Sequence, residues 1–205
     1  MGMYADHILP WLTHQALKSS EVSAERRVAL ADVEGDVLEL GMGSGLNLPH
    51  YGPGVRRVVG VEPSRGAARM AERAIRAVGF PVEIVPSTAE TIAFESRFDA
   101  VVSTFTLCTI PDVRLALVAA RRALRPGGRI FFLEHGLSSE PRVQKWQRRF
   151  ETIQKRICGG CHLTRDPGAL LEGAGFAVSR LDTFYMKGPR PWTFLYRGSA
   201  TLPPP

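Results

Sequence analysis

Two textures of apolar and polar positions follow one another along the chain. Residues 4–16 and 20–31 carry apolar side chains at helical spacing. The first run is interrupted near Pro10, and Ser20 or Ser23 is placed to cap the second. From residue 36 the pattern becomes short apolar runs separated by helical ones. Runs at 36–40, 57–62, 82–85, 98–103 and 129–134 read as strands. Helices are expected over 64–78, stopping at Gly79, and over 112–124, between Pro111 and Pro126-Gly127-Gly128. A longer helix over 140–157 and a short one over 167–174 follow. Runs at 176–184 and 192–199 form a terminal hairpin around Lys187-Gly-Pro-Arg190, and a frayed tail covers 202–205. Strands alternating with helices predict an α/β, doubly wound, mostly parallel sheet. The hairpin adds an antiparallel strand to it.

A chain of 205 residues suits a single domain over 1–205. Its parts are N-terminal helices (1–31), a central core (36–135) and a later helix, loop and hairpin (136–199). Hydrophobic residues at 44% and charged residues at 22% are ordinary globular usage. No apolar run approaches the roughly 20 residues that span a bilayer. The N-terminal stretch shows no secretory signal, and three cysteines make no disulfide framework, so a cytoplasmic protein is expected. The net charge of +6 suits nucleic acid, anionic lipid, an acidic small molecule or only a solvated surface.

The chemistry starts at the end of the first strand. Glu39-Leu-Gly41-Met-Gly43-Ser-Gly45 sits where a strand hands over to a helix. Glycines there let a ligand approach the main chain, in the crevice where open α/β sheets bind ligands. The second strand ends at Glu62, whose carboxylate can accept both hydroxyls of a ribose. A dinucleotide fingerprint would put a third glycine where Leu46 stands, and no Gly-Lys-Ser/Thr follows for a P-loop.

These segments resemble the class I S-adenosylmethionine-dependent methyltransferases over nearly the whole chain. Residues 39–45 match their first motif and Val61-Glu62-Pro63-Ser64 their second. Thr88-Ala89-Glu90 stands where members carry Asp-Ala-Glu beside the adenine, so Thr88 is a departure. Residues 98–102 match the fourth strand, and 124–130 the turn into the fifth. The resemblance implies a Rossmann-like, seven-stranded sheet with an N-terminal helical lid and a C-terminal antiparallel hairpin. It also implies S-adenosyl-L-methionine as cofactor, S-adenosyl-L-homocysteine as product, and no metal. Gly41, Gly43, Gly45 and Asn47 would surround the methionine part and Glu62 would hold the ribose. Pro63, Thr88, Ala89 and Thr104 would complete the cofactor set, with Tyr4 closing over the methionine carboxylate.

The acceptor is read from the segment after the fourth strand, Ser103-Thr-Phe-Thr-Leu-Cys-Thr-Ile-Pro111. The Asn/Asp-Pro-Pro-aromatic motif of base-amine methyltransferases is missing there, so nucleic acid is not expected as a partner. No acidic cluster offers oxygen ligands for magnesium. Thr106-Leu-Cys-Thr-Ile110, Leu133-Glu-His135 and Gly160-Cys-His-Leu-Thr-Arg165 together resemble the alkyl thiol methyltransferases of the animal methyltransferase-like group and their small bacterial relatives. The animal members carry an N-terminal hydrophobic anchor, which is not expected here. The expected reaction is methyl transfer to a small, fairly apolar acceptor, a thiol first. N-methylation of a phospholipid headgroup and O-methylation of a quinone or phenol are the alternatives, and a non-catalytic cofactor-binding protein a third.

His135, at the carboxyl edge of the fifth strand, is the expected base, with Glu134 orienting it; His162 and Asp166 are runners-up. Cys158-Gly-Gly-Cys161-His162 has the spacing of haem, zinc or redox motifs, and a loop lining the acceptor pocket suits its position better. On the 140–157 helix, Val143, Trp146, Phe150, Ile153 and Ile157 make an apolar stripe beside Arg142, Lys145, Arg148, Arg149, Lys155 and Arg156. Such a helix packs on the sheet with a solvated back, or lies on an anionic membrane surface.

Overall fold

A computed structural model of the protein describes residues 4–203; residues 204 and 205 of the expected frayed tail lie outside them. A single wide turn over Tyr4–Ile8 leads into α1 (Leu9–Leu17), followed by α2 (Ser20–Ala29). Pro10 lies in the first turn of α1, where its missing N–H costs nothing, and so begins that helix rather than breaking it. Ser19, not Ser20 or Ser23, caps α2 by accepting from the Val22 amide at 3.2 Å.

The central region then runs β1 (Gly35–Leu40), β2 (Val55–Val61), α3 (Arg65–Ala77), β3 (Val82–Val85), β4 (Phe98–Thr104), α4 (Val113–Ala123) and β5 (Leu124–His135). After it come α5 (Pro141–Ile157), α6 (Pro167–Gly173), β6 (Ala177–Tyr185), the single turn α7 (Arg190–Thr193) and β7 (Phe194–Thr201). The seven strands form one sheet in the order β3-β2-β1-β4-β5-β7-β6. β7 is antiparallel to both β5 and β6, and the other pairings are parallel, as the hairpin pattern implies.

All six residues of β1 are buried, as expected of a parallel strand covered on both faces. Alternation along it separates two cores. Leu38 and Leu40 join Val101, Ile130, Phe132 and the α4 residues Ala116, Leu117 and Ala120. Val37 joins Val58, Val102 and Phe131 with Leu30, Leu48 and Tyr51 on the opposite side. Glu39 shares the parity of Val37, so its carboxylate emerges on the α2 side. The strand order reverses between β1 and β4, and the crevice at their carboxyl ends holds the cleft. At the amino end, Asp36 and Asp99 gather Arg56 and Arg125 into an ion-pair network.

On α5 the buried positions differ from the expected stripe. Val143 and Gln147 are buried, whereas Trp146, Ile153 and Ile157 are 52%, 57% and 56% exposed. The inward face is polar because it holds loops in place. The Gln147 amide group donates to the Gly136 carbonyl, and Glu151 accepts from the Leu163 amide and the Thr164 hydroxyl.

Candidate active site

Three glycines shape the turn after β1. Gly41 has φ +63°, and a Cβ there would meet Thr106 side-chain atoms at 2.6 and 2.7 Å. Gly45, at φ +76°, packs on Ala71 and Ala74 of α3 and on Leu48, so it seats the helix and does not form part of the cleft wall. Gly43, at φ +58°, is different: only the Gly41 carbonyl lies within 4 Å of an added Cβ, so this face of the loop is open to a ligand. Its amide donates to Glu62 Oε2 at 2.8 Å, and the Ser64 amide donates to Glu62 Oε1 at 2.7 Å. Glu62 thus stands at the mouth of the loop, its pKa raised by burial against the pull of those two amides.

The floor is a polar network on the α2 side. Glu39 accepts from the Tyr51 hydroxyl at 2.6 Å and from Asn47 Nδ2 at 2.9 Å. Burial pushes the Glu39 carboxyl up to about 7 despite these partners and the nearby Arg26. Arg26 reaches in from α2, donating to Asn47 Oδ1 at 2.5 Å and Thr104 Oγ1 at 2.8 Å. It is 3% exposed, and its Nε is buried with no partner among the described residues. The motif reading does not include Arg26. Its signal lies in helical spacing: Val22, Arg26 and Ala29 form the buried face of α2.

The cleft has a volume of about 350 Å³, the size range of small-molecule sites. Glu39, Gly41, Gly43, Asn47, Glu62, Pro63, Thr88, Ala89 and Thr104 all line it. On the lid side α1 contributes Leu9, Pro10, Thr13, His14 and Leu17, and the His14 Nδ1 to Ser44 Oγ contact of 2.7 Å fastens α1 to the glycine loop. Tyr4 is outside the wall. Its exposed hydroxyl donates to the Ile157 carbonyl at 2.8 Å, joining the first turn to the end of α5.

The arrangement fits S-adenosylmethionine. An open glycine face, a carboxylate at the second strand and a deep floor with both an acid and a cation match the hydroxyls, ammonium and carboxylate of that molecule.

At the other end, Phe105, Thr106, Thr109, Ile110, Cys158 and Gly159 form the wall. His135 does not reach it. The ring is 6% exposed and faces Cys161, with Nδ1 3.9 Å from Sγ. The reason is local: the Glu134 carboxylate is consumed by Ser103 Oγ and the Thr106 and Leu107 amides, fixing the end of β5 beneath the loop after β4. Glu134 therefore does not orient His135. The runners-up have structural partners too: His162 pairs with Glu151 at 2.9 Å, and Asp166 caps α6 through the Ala169 amide. The Cys-x-x-Cys-His run is split, with Cys158 on the cleft, Cys161 turned inward and His162 bonded to Glu151 of α5.

Comparison with known proteins agrees with this geometry. The methyltransferase domain family matches residues 38–132. Thiol S-methyltransferase TMT1B of Rattus norvegicus is 32% identical over 194 residues, covering 87% of this chain and 78% of its own. Phosphatidylethanolamine N-methyltransferase of Cereibacter sphaeroides is 30% identical over 141 residues, covering 65% and 69%. A solved SAM-dependent methyltransferase of Thermotoga maritima superposes with a TM-score of 0.66 at 20% identity, covering 97% of each chain. Glycine loop, second-strand acid, strand order and relatives converge on one conclusion: the chain belongs to the class I S-adenosylmethionine-dependent methyltransferases, near the thiol S-methyltransferase group.

Proposed function

We propose that the protein transfers the methyl group of S-adenosylmethionine to the sulfur of a small, fairly apolar thiol. The observation that carries this reading is the acceptor end of the cleft, where Phe105, Ile110, Leu9 and Cys158 supply an apolar wall to which Thr106 and Thr109 add hydroxyls. The 32% identity to a thiol S-methyltransferase supports it.

The bound cofactor supplies an activated methyl on a sulfonium, so the reaction is an in-line displacement. The protein's work is placement. Arg26, Asn47, Thr104 and Glu39 would hold the amino-acid end, Glu62 the ribose, and Pro63, Thr88 and Ala89 the adenine side. α1, fastened by His14 to Ser44, keeps water out while the acceptor is aligned. An alkyl thiol must lose its proton to react. With His135 off the cleft wall, we assign that deprotonation to solvent: the thiol would release its proton to water and react as the thiolate, with no dedicated base.

A second reading rests on the exposed apolar face. Trp11 and Leu12 of α1 and Trp146, Ile153 and Ile157 of α5 are exposed beside the α5 arginines and lysines. The Tyr4–Ile157 bond brings the two helices together. This face suits peripheral contact with an anionic bilayer, the source of an apolar or lipid acceptor. Among the described residues no helix is long and apolar enough to cross a membrane. The test is S-adenosylhomocysteine release with a short alkyl thiol, phosphatidylethanolamine vesicles, a phenol and an amine in parallel. Turnover confined to the thiol is expected. Turnover confined to the vesicles would replace the first reading with the second, and cofactor binding without any turnover would leave a binding protein.

A further inference from the structure

Methyl transfer as described leaves three buried groups without a task. Cys108 follows β4, His135 ends β5, and Cys161 follows α5, yet their ligand atoms all lie within 4.8 Å of one another. We propose that Cys108, His135 and Cys161 form a zinc site with one open coordination position.

The distances suit an ion. Tetrahedral zinc with ordinary Zn–S and Zn–N bonds sets sulfur and nitrogen about 3.6 Å apart. Cys161 Sγ and His135 Nδ1 stand at 3.9 Å, in sulfur hydrogen-bond contact and close to that spacing. The donor set suits it too. Two thiolates and an imidazole select a borderline-soft metal such as zinc over magnesium or calcium. Two thiolates also neutralise a divalent charge, so the loaded site buries no net charge. Binding converts two thiols to thiolates and releases both protons to solvent. The His135 ring is under-satisfied as it stands: Nε2 is buried with no partner among the described residues. Nδ1 is the ring nitrogen that faces Cys161, so it is the ligand atom, and Nε2 carries the ring proton.

The surroundings hold the three ligands rigidly. The His162 amide donates to the Cys108 carbonyl at 2.7 Å, binding the two cysteine loops together. Arg165 donates to the carbonyls of Leu107 and Ile110 from the other side. Gly159 and Gly160, at φ +58° and +88°, turn the chain so that Cys161 points inward while Cys158 stays on the cleft. Supporting shells of this kind distinguish built metal sites from chance encounters of side chains. Among the described residues no fourth histidine, cysteine or carboxylate joins the group, and three protein ligands are the complement of a zinc site that keeps a place for an exogenous ligand. The same loops carry Thr109, Ile110, Cys158 and Gly159 of the acceptor wall, so the ion would also fix that wall.

The test is metal content of the full chain, expressed with added zinc, freed of loose metal by gel filtration and measured by elemental mass spectrometry. Wild type and Cys158→Ser are expected to hold about one zinc per chain, and Cys108→Ser and Cys161→Ser at least about tenfold less. Cobalt(II) added to the metal-free wild type is expected to give thiolate-to-cobalt charge transfer and the intense visible bands of tetrahedral coordination. That measurement decides the matter even if a cysteine variant fails to fold. Folded wild type that takes up neither metal, or zinc retained equally in Cys108→Ser and Cys161→Ser, overturns the proposal. A Cys108–Cys161 disulfide that persists after reductant and zinc are supplied does so as well.

Discussion

Nη1 of Arg26 donates to Oδ1 of Asn47 at 2.5 Å, tying the N-terminal helices to the floor of the cofactor cleft. The other end of the same amide donates to Glu39, so one asparagine stands between a buried cation and a buried acid. Arg26→Met keeps an unbranched stem and removes the guanidinium with its charge. Glu39 then loses its nearest compensating cation. We expect a stability loss on the order of 3 kcal/mol and a cofactor-product affinity reduced about 10- to 100-fold. Calorimetric titration with S-adenosylhomocysteine and thermal unfolding check both. Unchanged affinity would remove Arg26 from the methionine end.

Glu62 holds Gly43 and Ser64 through its two oxygens while remaining on the cleft wall. Glu62→Ala removes the ribose acceptor and loosens the glycine loop at once. Glu62→Gln keeps one acceptor oxygen. Affinity for S-adenosylhomocysteine is expected to fall about 100-fold in the first and about 10-fold in the second, the scale of charge-assisted hydrogen bonds. Equal, small losses in both would show that Glu62 serves the loop alone.

Stability should depend on pH through buried acids. Burial raises the carboxyls of Glu39 and Glu134 from 4.5 to about 7 in the folded protein. The folded state keeps protons there that the unfolded chain has released. Cofactor-free stability is therefore expected to fall as pH rises from 4.5 to about 7, by about 3 kcal/mol per group at most. Asp36 and Asp99 act oppositely at lower pH. Arg56 and Arg125 for Asp36, and the Asp36 amide followed by Arg125 for Asp99, hold both below 3.8, so the stability they add is present above that value and lost as pH falls below it. Urea unfolding across this range reads the profile. Glu39→Gln should lower the upper slope, leaving the parts due to Glu134 and Glu62, and a flat wild-type profile would contradict the assignment.

Gly41→Ala tests the loop itself. The new Cβ would collide with Thr106 in a left-handed conformation. A cost of about 2–4 kcal/mol is expected. Gly79→Ala, with nothing within 4 Å of its Cβ, should be close to neutral. Similar denaturation midpoints for the two variants would refute the crowding argument.

The cofactor half of the site was legible in the sequence because its chemistry is local. Glu39, the glycines and Glu62 sit at strand ends, where a short motif carries both residue type and position. The acceptor half is assembled from distant segments. Cys108 lies 27 residues before His135 and Cys161 lies 26 after it, so the local Cys-x-x-Cys-His spacing drew attention to a pair the fold separates. Arg26 was readable only by asking why an arginine occupies the buried spacing of α2. On α5 the apolar period named a stripe of which Val143 packs inward while Trp146, Ile153 and Ile157 face out. Loop carbonyls, amides and hydroxyls beneath that helix need partners, so Gln147 and Glu151 face inward and the tryptophan and isoleucines face out.

The most direct test of the account follows the methyl carbon. The protein is given S-adenosylmethionine labelled with carbon-13 in the methyl group, a short alkyl thiol and an equimolar amine, and the products are resolved by NMR. The account predicts a labelled thioether methyl that grows in step with S-adenosylhomocysteine and depends on Glu62. A label that appears on nitrogen, or stays on the cofactor while it binds, would contradict it.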